Sequence, residues 1–366
     1  MIRKTIKVKR NMKRTGFIYE KICDKENIRK AIWRASEHKR DKRAIKKVLD
    51  HIDDYVEKVH RILITQSFKN TPTVLTPKFE KLSNKTRMIR KPKFFPDQIV
   101  HWCIMLQVAP LIMRGMDPYC CANVPKRGEG RIRRHLQKVI TEDKSHCRYV
   151  LKYDVHHFYE SINVPLLIAK VRKIIKDEKV IKLIDEVSHI EEHGLSIGTY
   201  TSQWLANYFL QEHDHFIREQ LHPAYFYRYA DDVVILGPNK RKLYRMYEEI
   251  EKFLSEEYLS IKHNWRIFPL DDNHDIDFVG YRFLANGKVM IRKRIWRNVR
   301  RCIAHIYFHG ITLTRARRFM SYLGYIKNSF SHYIQAVYMK LVKLKKLRKA
   351  VKIGGTNQWK CCTVTV

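Results

Sequence analysis

The spacing of apolar residues changes several times along the chain, and each change predicts an element. Val48, Ile52, Tyr55, Val56, Val59, Ile62 and Leu63 recur at three- and four-residue intervals, which predicts helical structure over about residues 27–68. Pro72 and Pro77 mark a switch to extended chain, and residues 86–89 read as a strand. Pro92 and Pro96 end it, and an apolar helix is expected over 98–113. Residues 147–155 alternate and are rich in β-formers, and Pro165 suits the first turn of a helix carrying Leu166, Leu167, Val171, Ile174 and Ile175. A second helix, over 201–220, begins apolar on most faces and should be buried. Residues 225–229 and 233–236 read as short strands around a tight turn at Asp231 and Asp232. An amphipathic helix follows over 240–257, with Leu243, Met246, Tyr247, Ile250, Phe253 and Leu254 inward. Strands at 278–284 and 289–291 flank Asn286 and Gly287, a strong hairpin signal. From Trp296 the chain is basic and helical, with Gly310 and Gly324 as breaks. Irregular alternation around a central hairpin predicts an α+β fold rather than a doubly wound sheet.

Charge narrows the partner. The 366 residues, enough for two or three domains, include 73 Lys plus Arg against 37 Asp plus Glu, a formal net charge of +36. A core does not need that excess; a polyanion such as nucleic acid explains it. The cations are spread along the whole chain, no apolar run approaches the ~20 residues of a membrane span, and MIRKTIKVKR lacks the apolar centre of a secretion signal, so no membrane partner is expected. Residues 1–16 read as a flexible basic arm. Eight cysteines without a C-x-x-C, two pairs of them adjacent, suggest reduced thiols in a cytoplasmic protein rather than a zinc or disulfide framework. His189, Glu192 and His193 fit the H-x-x-E-H spacing of a metalloprotease, but with no further ligand in view they read as a polar helix end before Gly194. The loop 125–131, PKRGEGR, combines glycine and cations, which suits either close approach to a phosphate backbone or an ordinary exposed turn.

The candidate chemistry lies in Asp154, at a strand end, and Asp231 and Asp232, in the hairpin turn. In-line nucleotidyl transfer uses two Mg²⁺ ions roughly 3.5–4 Å apart, and Mg²⁺ takes a few carboxylates with water and phosphate completing its shell. Carboxylates on neighbouring strand ends can bridge both ions. Asp is also a common turn and cap residue, so each acid alone says little. Tyr-Ala-Asp-Asp between two apolar strands says more, because acids crowded there repel each other unless something compensates.

At this point the chain resembles the retroelement reverse transcriptases of bacteria, in blocks that follow in order from about residue 85 to 293. KTRMIRKPKFFPDQIVHW looks like a fingers strand and its helix, and YCCANVPKRGEGR like the next fingers block. LKYDVHHFYESI is similar to the block with the first metal aspartate, and GLSIGTYTSQWLANYFLQEHD to the block beneath the nascent base pair. YRYADDVVIL is similar to the metal hairpin and DFVGYRF to the primer-grip hairpin. The resemblance implies a right-hand polymerase fold: a basic arm and helical N-terminal extension over 1–70, interleaved fingers and palm over 71–291 with an antiparallel sheet and the YADD hairpin, and a basic helical thumb over 292–366. It implies two Mg²⁺ ions, with Mn²⁺ able to stand in, held by Asp154, Asp231, Asp232 and the Val155 carbonyl. Lys85 and Arg87 would hold the incoming triphosphate, although two cations on a strand are also an ordinary solvated face. Tyr159 would exclude a ribose 2′-hydroxyl, or simply pack in the core. Lys262 would protonate pyrophosphate, or be a surface lysine. Phe278, Gly280 and Tyr281 would touch the primer strand.

Within that family most bacterial members carry Gln-Gly and then Ser-Pro in the block under the base pair. Here Ile197 and Gly198 stand at the first pair and Gln203 follows Ser202. This pattern resembles the reverse transcriptases of diversity-generating retroelements, which copy a template repeat from their RNA, misincorporate mainly opposite adenines and use the cDNA to rewrite a variable gene. The implied partners are template RNA, the primer or cDNA strand, dNTPs and a small basic accessory protein. An intron-like, retron-like or phage-defence enzyme, and a catalytically silent RNA-binding protein on the same scaffold, stay open. Tyr159 where Phe is common, and the polar 156–160 loop, depart from the usual pattern.

Overall fold

A computed structural model describes residues 14–80, 85–330 and 337–353. Residues 1–13, most of the expected arm, and Cys361 and Cys362 lie outside them. Residue 15 is stitched into the fold: Thr15 N–H donates to the Ile174 carbonyl at 2.9 Å, and its own carbonyl accepts from Lys176 N–H at 2.9 Å.

The first helical stretch is broken into α1 (Tyr19–Cys23), α2 (Lys25–Ser36), α3 (Arg43–Asp50) and α4 (Ile52–Ile64). The Asp24 side chain accepts from Asn27 N–H and starts α2. After Pro72 the extended chain forms a strand not expected from the pattern, β1 (Leu75–Glu80), paired antiparallel with β2 (Lys85–Arg90). The buried helix α5 (Ile99–Met113) follows.

The glycine-cation loop then runs into α6 (Glu129–Glu142), a helix missed because its apolar stripe, Ile132, Leu136, Val139 and Ile140, is thin among cations. Next come β3 (Tyr149–Asp154), the single turn α7 (Phe158–Ser161) and α8 (Val164–Val171), which stops before Ile174 and Ile175. A further helix, α9 (Glu178–Ser188), was also unforeseen; His189 closes it, so the H-x-x-E-H segment lies just past its end.

The predicted 201–220 helix is broken at Leu210 into α10 (Tyr200–Phe209) and α11 (Gln211–Phe216), which runs on through a π-helical turn to Leu221. Strands β4 (Tyr225–Tyr229) and β5 (Asp232–Gly237) and helix α12 (Lys240–Glu256) lie where the pattern placed them, and β6 (Arg266–Pro269) is an addition. The expected strand at 278–284 turns back on itself at Val279 and Gly280, both at positive φ, which gives β7 (Ile276–Phe278) and β8 (Tyr281–Phe283) before β9 (Val289–Ile291). Helices α13 (Lys293–His309), α14 (Leu313–Lys327) and α15 (Leu344–Ile353) end the described chain. Gly310 breaks the first two apart, but Gly324 sits inside α14 and breaks nothing.

The central sheet has strand order β4-β5-β3-β6, antiparallel throughout. One core joins α1, α2 and α4 to α5, α8 to α10 and one face of the sheet. A second packs α6 and the β7-β8-β9 sheet on the other face. Residues from Ile291 to Val351 form a third core of their own. The six cysteines of the described residues are all buried free thiols.

Candidate active site

The hairpin β4-β5 and its neighbour β3 bring the acids together. Antiparallel register sets Asp154 opposite Asp232, and Asp232 opposite Tyr229 across the hairpin. Val155 N–H donates to the Asp231 carbonyl at 3.2 Å, so the chain leaving β3 is tied to the turn. Ala230, at φ +56°, makes that turn in the left-handed region, at roughly 1–2 kcal/mol for a residue with a Cβ.

A buried polar network holds it there. Arg228, fully buried on β4, donates from Nη1 to the Ala230 carbonyl at 2.9 Å and to Asn207 Oδ1 at 3.1 Å. Its Nε and Nη2 each reach Asp214 at 2.7 Å. His213 Nδ1 lies 3.1 Å from Asp214 Oδ1, and its Nε2 lies 2.8 Å from the Tyr153 hydroxyl. The Arg228 charge and its hydrogen bonds draw the Asp214 carboxyl below its ordinary range against the pull of burial.

Two lysines partly offset the charge of the three acids. Lys262 Nζ stands 3.4 Å from Asp154 Oδ1 and 3.5 Å from Asp231 Oδ2, and its backbone N–H donates to the Asp154 carbonyl at 2.9 Å. Lys152, one pleat before Asp154, lies 3.3 Å from Asp232 Oδ1, hydrogen-bonds to Oδ2 at 3.4 Å and also donates to the Asp277 carbonyl. Burial, reinforced by the Asp154 and Asp231 charges and opposed by Lys152, still pushes the Asp232 carboxyl up to about 7. Burial and the Asp154 charge likewise raise Asp231, against Lys262 and Arg87.

This donor set fits a hard divalent cation. It offers three carboxylates on adjoining strand ends, and the buried Asp232 Oδ1 accepts no hydrogen bond. As placed, no three His, Cys, Asp or Glu side chains of the described residues gather round one point, and each of the three acids lies within 3.5 Å of a lysine.

Tyr159 stands half-buried nearby, its hydroxyl pushed up to about 12 by burial and by the Asp231 charge. Its carbonyl accepts from Leu195 N–H at 2.7 Å. Gly194, at φ +70°, makes that contact possible: a Cβ there would sit 2.4 Å from the carbonyl oxygens of Tyr159 and Glu160. The next glycine, Gly198 at φ +116°, lies against β2, where a Cβ would meet Ile89 Cγ2 at 2.5 Å and the Arg90 carbonyl at 2.8 Å. Arg90 Nε bonds Glu191 at 2.6 Å, which also fastens β2 to this segment. Ile197 and Gln203 are half-buried on either side of Thr199, which caps α10. Arg87 is exposed on β2, close enough to pull on Asp231 and Tyr159 electrostatically. Lys85 opens β2 opposite Glu80. Tyr159→Ala is expected to admit ribonucleotides, since removing the ring opens space next to the acids. Competition between dNTP and rNTP in single-nucleotide extension checks this, and unchanged discrimination would make Tyr159 a packing residue.

The residues expected at the primer strand lie inside the fold. Phe278 and Tyr281 are buried in the second core, and Gly280 is pressed against Tyr325 and Ile295, where a Cβ would come within 2.6 Å of the Tyr325 ring. Phe278 and Tyr281 face inward because the chain turns at Val279 and Gly280, with Val279 half-exposed. Sequence reasoning missed Lys152, Asp214, Arg228 and Gly194. Lys152 is signalled only by a cation in an otherwise apolar strand, and Arg228 by the same anomaly two residues before Ala230.

Comparison with known proteins supplies the class. Residues 81–283, more than half of the chain, match the family model "Reverse transcriptase (RNA-dependent DNA polymerase)". The chain belongs to that family. A solved structure of apo telomerase from Candida tropicalis, truncated from its C-terminal domain, is similar at 15% identity and a TM-score of 0.46, over 62% of this chain and 55% of that one. The chain thus spans about half the length of that structure. No curated protein matches. No helix among the described residues is long and apolar enough to cross a membrane.

Proposed function

We propose that the protein is an RNA-directed DNA polymerase that makes cDNA from a retroelement RNA. The observation that carries this reading is the register that sets Asp154 beside Asp232, with Asp231 in the adjoining turn. Asp154, Asp231 and Asp232, with the Val155 carbonyl, would hold two Mg²⁺ ions, which when bound offset triphosphate charge and favour ionisation of the primer 3′-hydroxyl. Lys262, 3.4 Å from Asp154 and 3.5 Å from Asp231, would give a proton to departing pyrophosphate. Arg87 offers bidentate donors to the triphosphate, with Lys85 on the same strand. Tyr159 bounds the sugar. In this reading β1, β2 and α5 belong to the fingers, the four-stranded sheet to the palm and residues 292–366 to the thumb. Template RNA, a primer strand, dNTPs and a small basic accessory protein are the partners. The test is metal dependence: chelation should abolish extension of a primer on RNA, and Mg²⁺ or Mn²⁺ should restore it. Extension that persists in chelator would refute the two-metal site.

The reading extends to the error-prone enzyme of a diversity-generating retroelement. Its support is Ile197 with Gly198 and Gln203, on a segment that the close approach of Gly198 presses against β2. Isoleucine offers shape but no hydrogen bond, and a lost positioning bond is worth about 1 kcal/mol, or several-fold in discrimination. Template adenines, paired through two hydrogen bonds rather than three, should suffer most. Ile197→Gln is therefore expected to lower misincorporation opposite adenine several-fold, measured by sequencing cDNA from one RNA. An active variant whose adenine errors do not fall relative to other bases would remove Ile197 from the account.

A further inference from the structure

Lys152 stands on a face where a cation is costly. Side chains alternate along β3, so Lys152 shares its face with Val150 and Asp154. The register sets it opposite Val234 on β5. Val150, Val234, Leu236 and Phe278 all belong to the second core. The Lys152 side chain is only 16% exposed, and its Nζ lies 5.7 Å from the centre of the Phe278 ring. A cation among apolar residues is tolerated when partners compensate it, so the partners of Lys152 indicate its use.

The first partner is Asp232. Lys152 Nζ donates to Oδ2 at 3.4 Å and stands 3.3 Å from Oδ1, which accepts no hydrogen bond. The second is the Asp277 carbonyl on β7, an edge strand of the three-stranded sheet. Asp277 is anchored in turn. Its carboxylate accepts from Arg292 Nε at 2.6 Å, and Arg292 N–H, at the start of α13, donates to the Gly280 carbonyl at 3.2 Å. The Lys152 amine is thus held between the carboxylate and a fixed peptide. Lys262 differs on both counts: it is 30% exposed and meets the other two acids, Asp154 and Asp231.

We propose that Lys152 is a positioning residue, which fixes the Asp232 carboxylate through Oδ2 so that Oδ1 is presented to a divalent cation. This rests on the two-metal reading above. A carboxylate that ligates a metal is ordinarily oriented by a hydrogen-bond partner of its own, and loss of that partner typically costs about 10–100-fold in metal affinity or activity. Lys152 acts through Asp232 and not through contact with the nucleotide.

The test is a double-mutant cycle on the full chain, with Lys152→Met, Asp232→Asn and the two combined. Electron paramagnetic resonance of free Mn²⁺ reads metal binding without nucleic acid or nucleotide. Lys152→Met is expected to weaken Mn²⁺ binding about tenfold or more. In the Asp232→Asn background the same change should shift it by less than about twofold, because the carboxylate that Lys152 orients is gone. Primer extension by Lys152→Met should need about tenfold more Mg²⁺, with the dNTP KM at saturating Mg²⁺ within about twofold of wild type. Lys152→Arg, which keeps a charge and donors, should recover most of the affinity. Should Lys152→Met fail to fold, the double variant, in which both groups are neutral, is compared with Asp232→Asn: equal affinity supports the proposal and a further loss overturns it. Unchanged or tighter Mn²⁺ binding by Lys152→Met, or an equal loss in both backgrounds, also overturns it. A wild-type chain that binds no Mn²⁺ would refute the two-metal site itself, and the proposal with it.

Discussion

Asp231→Asn is expected to lower DNA synthesis by at least about a thousandfold while RNA binding stays within about twofold. Loss of one metal ligand removes several kcal/mol of transition-state stabilisation, and each 1.36 kcal/mol is about a factor of ten in rate. Phosphate contacts made by cations elsewhere on the chain do not depend on that carboxylate. The fold should gain rather than suffer. A carboxyl whose pKa is raised on folding favours the folded state below its unfolded value, and that advantage is lost as pH rises through the folded value. For Asp231 the direction is upward, and for Asp232 the folded value is about 7, so the loss falls between roughly pH 4 and pH 7. At neutral pH and without divalent metal, Asn at either position should therefore raise Tm. Primer extension, RNA binding and thermal melting on one preparation check all three expectations. Substantial synthesis by a folded Asp231→Asn chain would move the active site elsewhere.

Breaking the buried pair beneath the hairpin should have the largest effect on stability. Arg228 and Asp214 are both fully buried, and removing one partner leaves a charge uncompensated, which typically costs about 3–5 kcal/mol. Asp214→Ala should approach that loss. Arg228→Ala should in addition free the Ala230 carbonyl and loosen the turn that carries Asp231. Replacing both with Leu and Met of similar volume should recover much of the stability but not the activity, because the donor to Ala230 stays absent. Urea unfolding of the three variants measures the first effect and primer extension the second. A single alanine variant within about 1 kcal/mol of wild type would show that the pair does not hold the hairpin.

The parts of the site that were legible in the sequence share a property. Asp154, Asp231 and Asp232 break runs of β-forming residues at the ends of short strands, so local alternation placed them even though only the sheet could unite them. The same holds for the Asn286 and Gly287 turn, where conformational demand and residue type coincide. What escaped was non-local. Helix α6 packs through a narrow apolar stripe that charged neighbours dilute, and α9, though it buries Val180, Ile181, Leu183, Ile184 and Val187, is framed by charged residues at its start. Strand β6 has only four residues and is defined by its partner β3. The turn at Val279 and Gly280, which sets Phe278 and Tyr281 into a core, splits what reads locally as one strand. Lys262 looked like a surface lysine, yet the bridge between Val155 and Ile261 sets it beside two carboxylates. Gly324 carries no turn because an α-helix tolerates one glycine for about 1 kcal/mol when its neighbours pack.

The most direct measurement is extension of a DNA primer on a defined heteropolymeric RNA by the wild-type chain, with Mg²⁺ and all four dNTPs. The account predicts a DNA product that is complementary to the RNA, grows with time and is absent when the template is omitted. A folded chain that binds the RNA tightly yet adds no nucleotide, with either Mg²⁺ or Mn²⁺, would contradict it.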